Sequence, residues 1–238
     1  MNRDDLLTRQ HVAPRLAAGL CLLALLLCAA PREVPAWDHF MGAQLAAEPD
    51  THQKRLWRNL ESRWKKVLEG EKNDPIFAPG GKAKFPQRCQ TLWDKLTAAL
   101  PKDNLRKARE VCGFLNTQFA ANTDKNLYGV PEKWASPAEM VAKGGGDSED
   151  FAFLKYFALR SLGFAADDLR LLIVELPGGG NAERWDVLLA VRINGLYYIQ
   201  DFTFRPADLL MPANDALAKH YKLSIAFNED GASYYAKP

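Results

Sequence analysis

The sequence predicts an α+β fold in which amphipathic helices precede an antiparallel sheet. Three observations carry this expectation. Apolar residues recur at three-to-four spacing through residues 50–121. The hydrophobic period changes near residue 168, where a run of β-branched and leucine residues begins. Asn194-Gly195 then supplies a two-residue hairpin turn between two apolar runs.

The elements follow in order. Leu56, Trp57, Leu60, Trp64 and Leu68 mark a helix over 50–69. Asn73-Asp74-Pro75 and Pro79-Gly80-Gly81 break the pattern, and residues 86–100 and 103–121 give two more helices around Pro101. Residues 122–137 read as a loop rich in Gly, Pro and Asn. A helix runs from about Asp147 to Leu162 and stops at Gly163. Strands are expected at Leu169 to Leu176, Trp185 to Ile193, Leu196 to Asp201 and Tyr221 to Phe227.

The first 36 residues read as an export signal. Arg3, Arg9 and Arg15 precede an apolar run from Leu16 to Ala30, shorter than the ~20 residues of a usual membrane span. Val34-Pro35-Ala36 provides small residues for cleavage before Trp37. The competing reading is an uncleaved inner-membrane anchor formed by residues 16–30. One domain is expected over 37–238, in the periplasm or otherwise exported. The net charge of +2 excludes the basic footprint of a nucleic-acid binder. Cys89 and Cys112 remain beyond the leader, and the sequence leaves open whether they pair or sit as buried thiols.

Gly144-Gly145-Gly146 delivers the polar pentad Gly146-Asp147-Ser148-Glu149-Asp150 to the start of an apolar helix. A helix N-terminus stabilises a nucleophilic anion through its unpaired N–H groups and its dipole. The residue offered there is Ser148, and Ser and Asp are also ordinary helix-capping residues, so Asp147 to Asp150 fits a capping arrangement.

Trp134, Pro137, Glu139, Gly146, Asp147, Glu149, Asp150, Ala152, Lys155 and Tyr156 together resemble the bacterial transglutaminase-like cysteine peptidases. This family belongs to the papain-like superfamily and includes periplasmic proteases that cleave biofilm adhesins. The resemblance covers roughly residues 86–230 and implies a papain/transglutaminase-like core. It places the family's nucleophilic Cys on Ser148, its His on Asp186 and its Asp on Asp201. It also implies that Asp147 and Glu149 occupy calcium-binding positions, with Asp150, backbone carbonyls or water completing the shell.

Cys, His, Asp has thus become Ser, Asp, Asp. A serine hydroxyl needs a base with a pKa near ambient pH, and an aspartate titrates near 3.9. His11 leaves with the leader, His39 and His52 fall outside the matched stretch, and His220 has no family role. The expectation is an inactive peptidase homologue that binds a peptide or protein partner and uses no small-molecule cofactor, with calcium as the candidate ion. The alternatives are a working hydrolase that pairs Ser148 with an unrecognised base, and a purely structural exported domain.

Overall fold

The structure, a computed structural model, describes residues 37, 39–175, 185–200, 211–212 and 221–236. The leader 1–36, Leu176, the turn Pro177 to Gly180, Asp201 and His220 lie outside the described residues. Residues Trp37–Pro238 form one compact unit. No helix among the described residues is long and apolar enough to cross a membrane.

The elements in chain order are β1 (His39–Phe40), β2 (Ala43–Leu45), α1 (Thr51–Asn73), β3 (Phe77–Ala78), β4 (Lys82–Ala83), α2 (Gln87–Ala98), α3 (Asn104–Gln118) and β5 (Ala120–Ala121). Then come α4 (Asp124–Tyr128), α5 (Pro137–Lys143), β6 (Gly145–Gly146) and α6 (Ser148–Ser161). A 3₁₀ turn at Ala166–Asp168 leads into β7 (Leu169–Glu175), β8 (Trp185–Ile193), β9 (Leu196–Gln200), β10 (Met211–Pro212), β11 (Lys222–Asn228) and β12 (Gly231–Ala236). The fold is α+β, as the change of hydrophobic period predicts. Its main sheet is antiparallel throughout, in the order β1-β2-β12-β11-β7-β8-β9-β10.

Alternation sorts the central strands onto two faces. Leu171, Ile173, Val187, Leu189, Ile225 and Phe227 face the helical side, with Trp64, Phe153 and Tyr156. Leu172, Val174, Leu188, Ala190, Leu223 and Ala226 face away, beneath Trp37, Phe40 and Met41. The segment before α1 is therefore part of the fold: it adds two edge strands and closes the second face. Trp37 Nε1 donates to the Asp167 carbonyl at 3.1 Å, and the Trp37 carbonyl accepts from Tyr235 Oη at 2.7 Å.

Helix α1 lies across β11 and β12. Asp50 caps it in a reciprocal box with Gln53. Leu56, Leu60, Trp64 and Val67 are buried along one side. Trp64 Nε1 donates to the Asn228 carbonyl at 3.1 Å, and Gln53 Nε2 donates to the carbonyls of Ser224 (3.0 Å) and Tyr235 (2.6 Å).

The segment 122–137, read from sequence as a loop, contains α4, and α5 begins at its end. Both helices carry side-chain caps, from Thr123 and from Ser136 with Glu139. They are too short for hydrophobic period to reveal. Asn194 (φ 53°) and Gly195 (φ 80°) form the expected hairpin turn. Cys89 and Cys112 are free and buried, and burial pushes their thiols up to about 11 and about 12. In the structure they sit as two separate buried thiols, the arrangement of inert core cysteines.

Gln53→Leu removes the reciprocal half of the capping box and takes the side-chain donor away from the buried Ser224 and Tyr235 carbonyls. It should lower stability by about 2–4 kcal/mol, seen as a lower urea midpoint at an unchanged slope. A midpoint equal to that of the parent would show that the Gln53 clamp contributes nothing.

Candidate functional site

Helix α6 presents Ser148 as its first residue, with Asp147 at the N-cap position. The glycine run brings it there. Residues β5 and β6 form a parallel bridge, Ala120 opposite Gly145 and Ala121 opposite Gly146. A Cβ on Gly145 would sit 2.0 Å from the Ala120 carbonyl oxygen, and one on Gly146 would sit 2.5 Å from Asp150 Oδ2. Only glycine fits either place. The bridge also fixes where the chain after α3 goes: Asn122 N donates to the Gly146 carbonyl at 2.9 Å, and α4 starts beside the pentad.

Asp147 does not cap the helix with its side chain, contrary to the capping arrangement expected for the pentad. Its Oδ1 is buried without a hydrogen-bond partner. The side chain turns instead into a cluster of carboxylates. Ligating oxygens of Asp124, Asp147 and Asp150 lie within 4.8 Å of one another, as do those of Asp124, Glu132 and Glu149. Asp124, Glu149 and Asp150 are buried. Asp124 Oδ2 accepts from Lys133 N, and Asp150 Oδ1 accepts from Ala135 N at 2.8 Å, while Asp124 Oδ1 and Asp150 Oδ2 have no partner. Glu132 pairs outward with Arg63 at 2.8 Å.

This cluster is costly as isolated anions. Burial, with Asp124 adding to it, raises the Asp147 carboxyl to about 7. Burial and then Asp147 raise Asp150 to about 8. Glu149 is driven well above the usual carboxylate range by burial, then by Asp147 and Glu132. Asp124 also shifts upward through burial. The sequence reading found Asp147 and Glu149, with Asp150 as helper, and missed Asp124 and Glu132. Those two arrive from α4 and from the segment before α5, and no local pattern ties them to the pentad.

Ser148 Oγ lies 2.5 Å from Asp186 Oδ1 and 3.0 Å from Glu149 Oε2. A hydroxyl carries one proton and donates to one acceptor. The second contact requires a proton on one of the two carboxyls. Asp186 Oδ1 also accepts from Val187 N at 2.7 Å. Asp186 is the second residue of β8, opposite Val174 on β7. Strand alternation assigns it to the face of Leu188 and Ala190, yet at the start of the strand its carboxylate still meets the start of α6. Trp185 packs with Trp134 at 6.1 Å between ring centroids. Ser148 and Asp186 are therefore together, as the resemblance implies, and Asp201 lies outside the described residues. His52 faces Glu175 at 3.6 Å.

The start of α6 thus meets the start of β8, on an α+β core with helices packed on one face of an antiparallel sheet. The profile of the bacterial transglutaminase-like cysteine proteinases matches residues 80–202, and the chain belongs to that family. No curated protein matches the sequence. Among solved structures, calcium-bound LapG of Legionella pneumophila is 24% identical with a TM-score of 0.50, the match covering 71% of this chain and 86% of that one. An EGTA-treated LapG from the same organism is 20% identical with a TM-score of 0.49, over 71% and 84% of the two chains. At these identities the likeness is one of fold.

The carboxyls raised by burial give a pH dependence of definite sign. Groups whose folded pKa exceeds the unfolded value stabilise the fold when protonated, and that contribution is lost as pH rises through the folded value. Without divalent ions, the melting temperature should fall between pH 5 and pH 8.5 as Asp147 (about 7) and Asp150 (about 8) ionise. Asp150→Asn, which keeps the acceptor for Ala135 N, should shrink that fall. An identical pH profile in the variant would contradict the assignment.

Proposed function

We propose that the chain is an exported, catalytically inactive member of its family that binds a peptide segment of a protein partner beside a calcium site. The observation that carries the first part is the state of Ser148. Its hydroxyl lies between the carboxyls of Asp186 and Glu149, so the oxygen is not next to a base of suitable strength. An aspartate in the base position titrates far below the hydroxyl it would have to deprotonate. Among the described side chains, no imidazole lies within hydrogen-bond distance of Ser148.

The carboxylate cluster fits calcium on its own chemistry. It offers only hard oxygen donors, and three of its oxygens are buried without hydrogen bonds. Asp124, Asp147 and Asp150, with Glu132 and Glu149, would hold the ion, which supplies the positive charge that lets these groups stay ionised at neutral pH. One of the similar LapG structures is calcium-bound, which supports the choice of ion. An electronegative helix start favours a basic peptide segment over an anionic ligand. The competing reading, a hydrolase using Ser148 with a further base, predicts labelling by a serine-hydrolase probe that disappears in Ser148→Ala.

Peptide substrates should not be turned over by the native chain. Ser148→Cys together with Asp186→His is the smallest change expected to yield activity, read as release of a fluorogenic peptide. Turnover by the native chain that is lost in Ser148→Ala would overturn the inactive reading.

Calcium should raise the melting temperature by about 5 °C or more at saturating concentration. Asp124→Asn should remove most of that rise. A native melting curve that does not respond to calcium would refute the metal site and leave the serine argument standing.

A further inference from the structure

The net charge of +2 hides a segregation that the folded chain makes visible. Helix α1 alone carries seven Lys and Arg residues against Glu61, Glu69 and the buried Glu71. At 100° per residue, Lys54, Arg58, Lys65 and Lys72 fall within about 40° of arc and so form one line along the helix. All four are exposed, opposite the buried side formed by Leu56, Leu60, Trp64 and Val67. The helix has 23 residues, so the line is about 30 Å long. Lys65 pairs with Glu61 at 2.7 Å. Glu61 and Glu69 flank the line, and Lys54, Arg58 and Lys72 make no ion pair among the described residues.

We propose that this exposed face of α1 docks the protein on an anionic lipid surface. The shape of the face selects the partner. It is a straight, convex helix side, with its cations in one row and its large apolar residues turned inward. Protein partners draw most of their affinity from apolar or aromatic anchors seated in pockets, and this row offers neither. A fluid bilayer of anionic headgroups needs only charge presented in a plane, about 1 kcal/mol for each Lys or Arg near the surface. The contact is electrostatic and peripheral, and salt screens it. The face lies on α1, outside the stretch matched by the family profile, and it is independent of the state of Ser148.

The test is sedimentation of the full chain with vesicles of phosphatidylcholine containing about 30% phosphatidylglycerol, and with vesicles of phosphatidylcholine alone, in low salt. The quantity read is the ratio of the two affinities, which cancels any uptake through the apolar run Leu16 to Ala30. The row variant is Lys54→Gln/Arg58→Gln/Lys65→Gln/Lys72→Gln, in which glutamine preserves helix propensity. The control, Lys95→Gln/Lys102→Gln/Arg106→Gln/Lys107→Gln, removes the same net charge from α2, α3 and their connection.

The expected result is a native ratio well above one. It should fall at least about tenfold in the row variant and about tenfold in 0.5 M salt, and by less than about twofold in the control. A ratio of one for the native chain, or equal loss in the two variants, would overturn the proposal. Row-dependent retention on immobilised polyglutamate without preference for anionic vesicles would also overturn it and assign the face to an acidic polypeptide.

Discussion

The burial of carboxylates around the start of α6 is the constraint on which the site depends. Asp124, Glu149 and Asp150 are buried, Asp147 joins them, and the lysine that approaches Asp124 does so through its backbone N–H. Such a group must take up protons or a cation to exist. The surrounding elements hold it in place. Asp150 is tied to Ala135 N ahead of α5, Asp124 to Lys133 N, and Glu132 to Arg63 on α1. Four separate chain segments, α1, α4, the stretch 132–135 and the start of α6, thus meet over a single electrostatic problem.

The same constraint colours the chemistry of Ser148. A helix N-terminus ordinarily favours an anion. Here the first residue of α6 faces the Asp186 carboxylate, whose field opposes a negative charge on the serine oxygen. Thiolate chemistry in the family exploits an acidic thiol next to an imidazole. A hydroxyl between two acids sits in the reverse environment, and the proposed loss of catalysis follows from the partners of Ser148 as much as from its own acidity.

Hydrophobic period made α1, α2, α3, α6, β7, β8, β9 and β11 readable, because each buries a continuous face and so must repeat. The two-residue strands β1, β3, β4, β5, β6 and β10 left no such trace, since two residues carry no period and tertiary contacts alone decide them. Ser148 and Asp186 could be matched across a gap because their motif spacing fixes helix and strand together. Asp124 stood 23 positions before Asp147 in a segment read as loop, and only the bridge between Ala120–Ala121 and Gly145–Gly146 reveals them as neighbours. The N-terminal segment escaped for a related reason: Trp37 and Phe40 cover a sheet face that strand alternation shows to be apolar without saying what covers it.

The close approach at Gly145 bears on which lengths of chain this architecture can accept. Ala120 and Gly145 are pinned carbonyl to Cα, with no space for a side chain. Everything between them, α4 and α5 included, leaves this staple and returns to it. Residues added at the exposed tip around Gly129 to Pro131 would lengthen an excursion without moving either anchor. A single residue inserted between Gln118 and Asp124, or between Gly144 and Ser148, would shift one side of the staple against the other. The carboxylates would then part company while every helix remained intact, so a chain could keep the fold and lose the site through one change of length.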